Sequence, residues 1–323
     1  MFRRLASLAA ALALAVSFAA PLAAQSDFPN RPIRIVVPYP PGGTTDISLR
    51  AYVPELTETL GQPIVVDHRP GAGTNLGAEI VARSAPDGYT LYVSNFASHG
   101  VNRWLFSKLP FDPIGDFTPV AMLVRGPMFL CLRPGLEVKS AAELIDLARK
   151  KPGGLTYSSS GNGSPPHIAG ELFKYLTKID VLHVPYKGSA AQHAALLAGE
   201  VDFGFDGSII ALHRSGRLRC IAVGSTFRWP TDKEIPTLIE TGVPGFDVTS
   251  FFGIVGPKGM PQPVVDKLNA AFRKAAGNAE VGKRLEITGT IPFPATVEET
   301  RAFLREQDSK WGPIVKAAGA KVD

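Results

Sequence analysis

Two rhythms of apolar residues run along the chain: short β-branched runs, and longer stretches with apolar positions three to four apart. Ile33-Arg34-Ile35-Val36-Val37 belongs to the first kind and predicts a buried strand. Ile47, Leu49, Tyr52, Val53, Leu56 and Leu60 belong to the second and predict a helix ending at Gly61, a residue suited to a left-handed cap. The alternation continues with strands expected over 63–67, 91–94, 155–158, 181–185 and 201–206, most of them followed by a helical pattern. This is the rhythm of an α/β chain. Two regions break it. Residues 118–132 and 245–256 are extended and apolar with no helix between their runs, as expected of two crossings between two lobes. The helical patterns over 263–276, 280–285 and 298–317 are amphipathic and are expected to pack on the outside of the first lobe.

The first 24 residues read as a leader. Arg3 and Arg4 precede an apolar run from Leu5 to Ala20, and Pro21-Leu22-Ala23-Ala24 makes a small-residue exit before Gln25. The run is too short to span a membrane comfortably, so the expectation is cleavage near Ala24 and export to the periplasm. The remaining 299 residues (323 minus 24) suffice for two α/β lobes. Formal charge, +5 for the whole chain, falls to about +3 without the two leader arginines. That excess is diffuse, with no basic run and no interleaved aromatics, so nucleic acid is not an expected partner. The six histidines show no metal-ligand spacing, and no cofactor motif is present. Cys131 and Cys220 each sit in an apolar strand-like run, where an exported disulfide and two buried thiols fit equally well.

Candidate chemistry gathers where strands turn into helices. Val37-Pro38-Tyr39-Pro40-Pro41-Gly42-Gly43-Thr44-Thr45-Asp46 closes a strand and opens a helix. Its glycines leave backbone N–H groups unshielded, and a helix N-terminus adds free donors and partial positive charge. Such an end seats anions, although a tight strand-to-helix turn alone would also call for glycine. No Gly-Lys-Ser/Thr follows it and Gly-x-Gly-x-x-Gly is absent, so it is neither a P-loop nor a dinucleotide fingerprint. The same logic recurs at Ser159-Ser160-Gly161-Asn162-Gly163-Ser164-Pro165-Pro166-His167. A nucleophile elbow requires Gly-x-Ser-x-Gly, which this order does not supply, and His167 follows Ser164 too closely to face it. Binding without catalysis is therefore expected. At other strand ends stand Asn95, Phe96 and Ser98, then Tyr186 and Lys187, and finally Asp206, which can orient a ligand group or cap the next helix.

These stretches together resemble one family over residues 28–323: the substrate-binding proteins of tripartite tricarboxylate transporters, also called the Bordetella uptake gene family. Its marks are Phe28-Pro29-Asn30-Arg31-Pro32, Pro40 to Asp46, Gly61-Gln62-Pro63, Arg69-Pro70-Gly71-Ala72-Gly73, Ala85-Pro86-Asp87-Gly88-Tyr89-Thr90, Ser159 to Gly163, and His183-Val184-Pro185-Tyr186-Lys187-Gly188. The resemblance implies a two-lobed Venus-flytrap fold, type II-like, with lobe 1 over 25–123 and 250–323 and lobe 2 over 124–249. It implies a small organic carboxylate (a di- or tricarboxylate or an aromatic carboxylate) held by one loop from each lobe. On this sequence those loops are Tyr39, Pro41, Gly42, Gly43, Thr44, Thr45 and Asp46, facing Ser159, Ser160, Gly161, Asn162, Gly163, Ser164 and His167. Membrane permease subunits are the implied partners; a membrane sensor kinase is the alternative. The chain departs from the family at Tyr39, where phenylalanine is usual, at Asn95-Phe96-Ala97-Ser98-His99, at Asp206-Gly207, and after Gly188, where the usual proline is missing. Phe96 is expected to be free to stack on a ligand ring.

Overall fold

The computed structural model describes residues 28–317, so the leader over 1–24 lies outside the described residues. The chain opens with β1 (Ile33–Val37), α1 (Thr44–Leu60), β2 (Ile64–His68), α2 (Asn75–Ala82), β3 (Thr90–Asn95), the short α3 (Asn102–Leu105) and β4 (Phe117–Gly126). It continues through β5 (Phe129–Leu132), α4 (Ala141–Lys150), β6 (Thr156–Ser159), α5 (Pro165–Thr177), β7 (Leu182–Pro185), α6 (Ser189–Ala198), β8 (Phe203–Asp206), α7 (Ile210–Arg214) and β9 (Arg219–Val223). It closes with β10 (Ser250–Pro257), α8 (Gln262–Ala276), α9 (Ala279–Leu285), β11 (Ile291–Pro292), α10 (Val297–Lys310) and α11 (Gly312–Ala317).

Two mixed sheets result. The first has the order β11-β4-β10-β3-β1-β2, with β1 parallel to β2 and β3, and β10 antiparallel between β3 and β4. The second runs β7-β6-β8-β5-β9, with β6 parallel to β7 and β8 while β5 is antiparallel to β8 and β9. Parallel strands need helical crossovers, so in each sheet the helices start at the strands' C-terminal edge. The expected two-lobed α/β fold follows from this arrangement.

Strand alternation fixes the cores. Ile33, Ile35 and Val37 join Leu49, Tyr52, Leu268 and Phe272 on one face of the first sheet, whereas Val36 points to the other face with Val81 and Tyr92. In the second sheet Phe129 and Cys131 pack with Leu196 and Trp229, and Leu130 and Leu132 turn the opposite way toward Ile168 and Phe173. The chain crosses between sheets at Pro127-Met128 and returns between Val223 and Ser250. The Gly224 N–H joins the two crossings by donating to the Met128 carbonyl at 2.8 Å, and within the return segment the Val248 N–H donates to the Gly224 carbonyl at 2.8 Å.

One expectation fails here. The C-terminal helices do not all lie outside the first lobe, because α11 packs on α5 of the second sheet as well as on α3. The cause is its apolar face. Trp311 is fully buried with its ring 5.1 Å from that of Phe96, and Ile314 and Val315 extend the same surface. That layer of core thus runs unbroken from one lobe into the other.

Cys131 stands opposite Cys220 on the antiparallel pair β5–β9, and the two are joined as a disulfide. The bridge closes a sequence separation of 89 residues, and a link over so long a loop is worth about 2–4 kcal/mol, mostly by restricting the unfolded chain. We expect the mature protein to contain no thiol that alkylates before reduction. Cys131→Ser with Cys220→Ser should unfold at lower urea concentration by a matching amount. Equal stability of the two forms would remove the bridge from the account of the fold.

Candidate functional site

Between the sheets lies a cavity of about 700 Å³, lined by Tyr39 to Thr45, by Gly73 and Thr74, and by Ala97, Asn102, Leu105 and Phe106 from the first lobe. The second lobe supplies Ser160 to Pro165, Gly188, Ser189 and Ser208. An inner chamber of about 160 Å³ shares Tyr39, Thr44, Ser160, Ser189 and Ser208 with it and reaches Asn95, Phe96 and Asp206. Among the described residues the larger cavity has no lysine, arginine, histidine, aspartate or glutamate in its wall. Whatever it attracts is attracted by neutral dipoles.

The β1–α1 loop is built to leave amides free. Gly42 is left-handed (φ 83°) and its N–H donates to the Asp46 carboxylate at 2.9 Å. Arg50 holds the other Asp46 oxygen at 2.8 Å, and His68 stands 3.3 Å from the same oxygen. The His68 Nδ1–H donates to the Tyr39 carbonyl at 3.0 Å. With the loop pinned from behind, the N–H groups of Gly43, Thr44 and Thr45 meet no partner among the described residues. They open on the cavity at the head of a 17-residue helix. The Tyr39 phenol, its pKa raised by burial and by the nearby Tyr92 phenol, remains neutral beside them.

The facing loop is different. Its glycine amides, expected as donors, are already used: the Gly161 N–H by Ser159 Oγ at 3.2 Å, and the Gly163 N–H by His167 Nδ1 at 3.0 Å. Pro165 and Pro166 carry no N–H, and Ser164 Oγ takes the His167 N–H. Only the Ser160 and Asn162 amides remain open on this loop. The second lobe's free helix end is instead that of α6, where Gly188 is the N-cap with no side-chain cap and both Gly188 and Ser189 line the cavity. That start is legible in Gly188-Ser189, directly after the expected Lys187. Lys187 is exposed and outside the cavity wall.

Of the remaining expected residues, four support the wall without forming it (Asp46, Ser98, Ser159 and His167), and Tyr186 and Lys187 stand outside it. Asp46 pins Gly42, as above. Ser98 is fully buried and accepts the Asn95 N–H at 3.4 Å. Ser159 Oγ bonds His183 Nε2 at 2.7 Å, and His167 stacks on His183 with ring centres 4.1 Å apart. The Tyr186 hydroxyl donates to Glu200 at 3.4 Å, and Lys187 faces solvent. Asn95 and Phe96 do reach the inner chamber, but Asn95 Oδ1 is occupied by the Ala97 and Ser98 N–H groups. Phe96 is 2% exposed and tilted against Trp311 and Phe251, so its faces are committed to the core and not left for a ligand ring.

A family model, the tripartite tricarboxylate transporter family receptor, matches residues 49–320. The chain belongs to this family. The receptor is 34% identical to Protein BugT of Bordetella pertussis over 307 residues, 94% of each chain. Among solved structures it is similar to R. palustris Rpa4515 with adipate (35% identity, TM-score 0.81, 92% of this chain and 100% of the other). It is also similar to MatC from Rhodopseudomonas palustris with bound malate (35% identity, TM-score 0.77, 89% and 100%).

The imidazoles behind the second loop give the receptor a pH signature. Burial, helped by His167 and Lys174, pushes His183 down to about 3, and burial likewise lowers His167. His99, stacked on Tyr92 and enclosed, is also pushed to about 3 by burial. A free histidine takes up its proton near 6.5. Between about 3 and 6.5 the unfolded chain therefore binds more protons than the folded one, and stability rises with pH across that window. Above it these histidines have no effect. We expect the melting temperature to be flat above pH 7 and to fall steadily toward pH 4. His183→Gln should show a shallower fall than the parent, and parallel curves would remove His183 as a cause.

Proposed function

We propose that this chain is a periplasmic solute-binding receptor that captures a small organic carboxylate between its lobes and hands it to the permease subunits of a tripartite tricarboxylate transporter. The observation that carries this reading is a cleft of about 700 Å³ with no charged side chain in its wall among the described residues, onto which two helix N-termini open from opposite lobes. An anion entering it exchanges water for preorganised N–H donors. Four charge-assisted hydrogen bonds supply roughly 6–12 kcal/mol, and the upper end of that range reaches micromolar affinity, about −8 kcal/mol, after an association cost of about 4 kcal/mol. The adipate and malate bound to the two R. palustris neighbours support a dicarboxylate.

In this reading the hinge separates the lobes at Pro127-Met128 and between Val223 and Ser250, so the boundary expected after residue 123 moves to the end of β4 at Gly126. The carboxylate sits on the amides of Gly43, Thr44 and Thr45 from below, with Ser160, Asn162 and the first turn of α6 above. Thr44, Thr45 and Ser160 add hydroxyls. The leader pattern supports export, and the mature chain is expected to begin near Gln25; intact Met1 on the soluble periplasmic protein would contradict it.

The test of binding is a thermal-shift screen over di-, tri- and aromatic carboxylates, since a ligand at ~100 times its Kd stabilises the fold by ~2.7 kcal/mol. Gly43 is the residue to change. Its φ of −81° suits any side chain, and an added Cβ would come no closer than 3.8 Å to the Pro40 carbonyl. Gly43→Val should therefore fold normally and bind at least tenfold more weakly by calorimetry. Gly163 is unsuitable, because a Cβ there would lie 2.6 Å from Leu105 of the other lobe. A Gly43→Val receptor that binds like the parent would move the carboxylate off α1.

A further inference from the structure

At the boundary between the two chambers the cleft changes from donor to acceptor. Asp206, 4% exposed at the end of β8, has both oxygens occupied. Oδ2 accepts the Ser189 hydroxyl at 2.8 Å, while Oδ1 accepts the Ser208 hydroxyl at 2.7 Å and the Ser208 N–H at 2.8 Å. His193 Nε2 stands 3.1 Å from Oδ1. Burial pushes the Asp206 carboxyl up, but His193 and the two serines outweigh it and hold the group below the usual carboxylate range. An ionised carboxylate only accepts, so both serine hydroxyls must spend their single hydrogen on Asp206. Neither hydroxyl receives a hydrogen bond from the described residues, and both serines line both chambers. They present lone pairs to the ligand.

Resting on the carboxylate reading above, we propose that the receptor selects carboxylates bearing a hydrogen-bond donor, hydroxyl or ammonium, on the carbon next to the carboxyl group, with Ser189 and Ser208 as its acceptors and Asp206 as the positioning residue. The placement of Ser189 sets the geometry. Its backbone N–H lies in the open first turn of α6 and its Oγ is the acceptor, so one residue offers a donor and an acceptor only a few ångströms apart. A ligand meeting both must carry its carboxylate and its donor group on adjacent carbons. A plain dicarboxylate would leave two oriented acceptors facing hydrocarbon, and sites built to bond a polar group reject analogues that lack it. Asp206 itself, with its lone pairs taken, orients the acceptors and does not bind the ligand directly.

The experiment compares matched ligands by calorimetry: succinate with malate and aspartate, glutarate with 2-hydroxyglutarate and glutamate, propionate with lactate and alanine, phenylacetate with mandelate. In the series that binds, the 2-substituted member should bind at least tenfold tighter than its unsubstituted match. The hydroxy and amino arms distinguish hydroxyl from ammonium. Ser208→Ala and Asp206→Asn, checked for folding by circular dichroism, should each bring that ratio toward one. If unsubstituted acids bind as tightly as their 2-substituted partners in the parent protein, this proposal falls while carboxylate binding stands. If none of the acids binds, carboxylate binding falls and takes the proposal with it. If binding is selective but the ratio survives in both variants, the selectivity does not arise at these serines, which also overturns it.

Discussion

The Asp46 carboxylate is the contact on which the first half of the site depends. An amide at a helix start can serve a ligand only if the loop is held still without spending that amide, and Asp46 spends one to free three. It takes the Gly42 N–H, is itself held by Arg50, and leaves Gly43, Thr44 and Thr45 unpaired at the cavity wall. His68 ties the strand end to the same place through the Tyr39 carbonyl. The charged groups of this half, Asp46 and Arg50, are thus one layer back, where they fix dipoles and do not line the larger cavity. A cleft organised this way avoids the desolvation cost of baring a lysine or arginine to a bound anion.

The second lobe solves the same problem at a different helix. The serine- and glycine-rich loop before α5 looks in sequence like a copy of the first, yet in space it is largely self-satisfied. His167 reaches back to the Gly163 N–H, Ser159 to the Gly161 N–H, and two prolines remove the next donors. The imidazole at His167 works as an acceptor here, which requires its neutral form. Burial beside His183 keeps it neutral, so packing behind the loop protects the loop's shape. The open amides then come from α6, whose N-cap glycine at φ 93° allows the chain to turn toward the cleft.

Much of this was legible from periodicity and turn chemistry. The β-branched run Ile33 to Val37 announced a buried strand, Gly61 the left-handed cap (φ 69°) of the helix after it, and the helix-free run over 118–132 a crossing. Local signals of that kind depend on neighbours in the sequence. What escaped depended on partners far away. Gly163 finds its acceptor in a ring stacked on a histidine 16 residues further on (183 minus 167), and Phe96 finds its cover in Trp311 at the other end of the chain. Lys187 is a related case. A lone cation beside a glycine loop suggests an anion contact, but its side chain extends to water while the backbone next to it does the exposing. The cysteines were undecided because an apolar strand hosts a thiol or a bridge equally well; their opposed register on β5 and β9 resolves it.

The helix α11 limits how the lobes can part. Two crossings that hydrogen-bond each other through Met128 and Gly224 form a narrow joint, and by themselves would permit a wide swing. Trp311, however, is seated against Phe96 in the wall of the inner chamber, and the helix it introduces lies across α5 as well as α3. The Lys310 ammonium adds a tie to Asp247 on the return crossing, at 2.7 Å to the carboxylate and 3.0 Å to the carbonyl. Swinging the lobes fully apart would separate α11 from α5 and bare part of the apolar layer to which Ile314 and Val315 belong. Apolar contact tolerates sliding, since its free energy follows buried area and not direction. The ionic tie sits close to the joint, where displacement is least. Such a joint opposes wide separation of the lobes, because full separation costs the apolar area that α11 shares with α5.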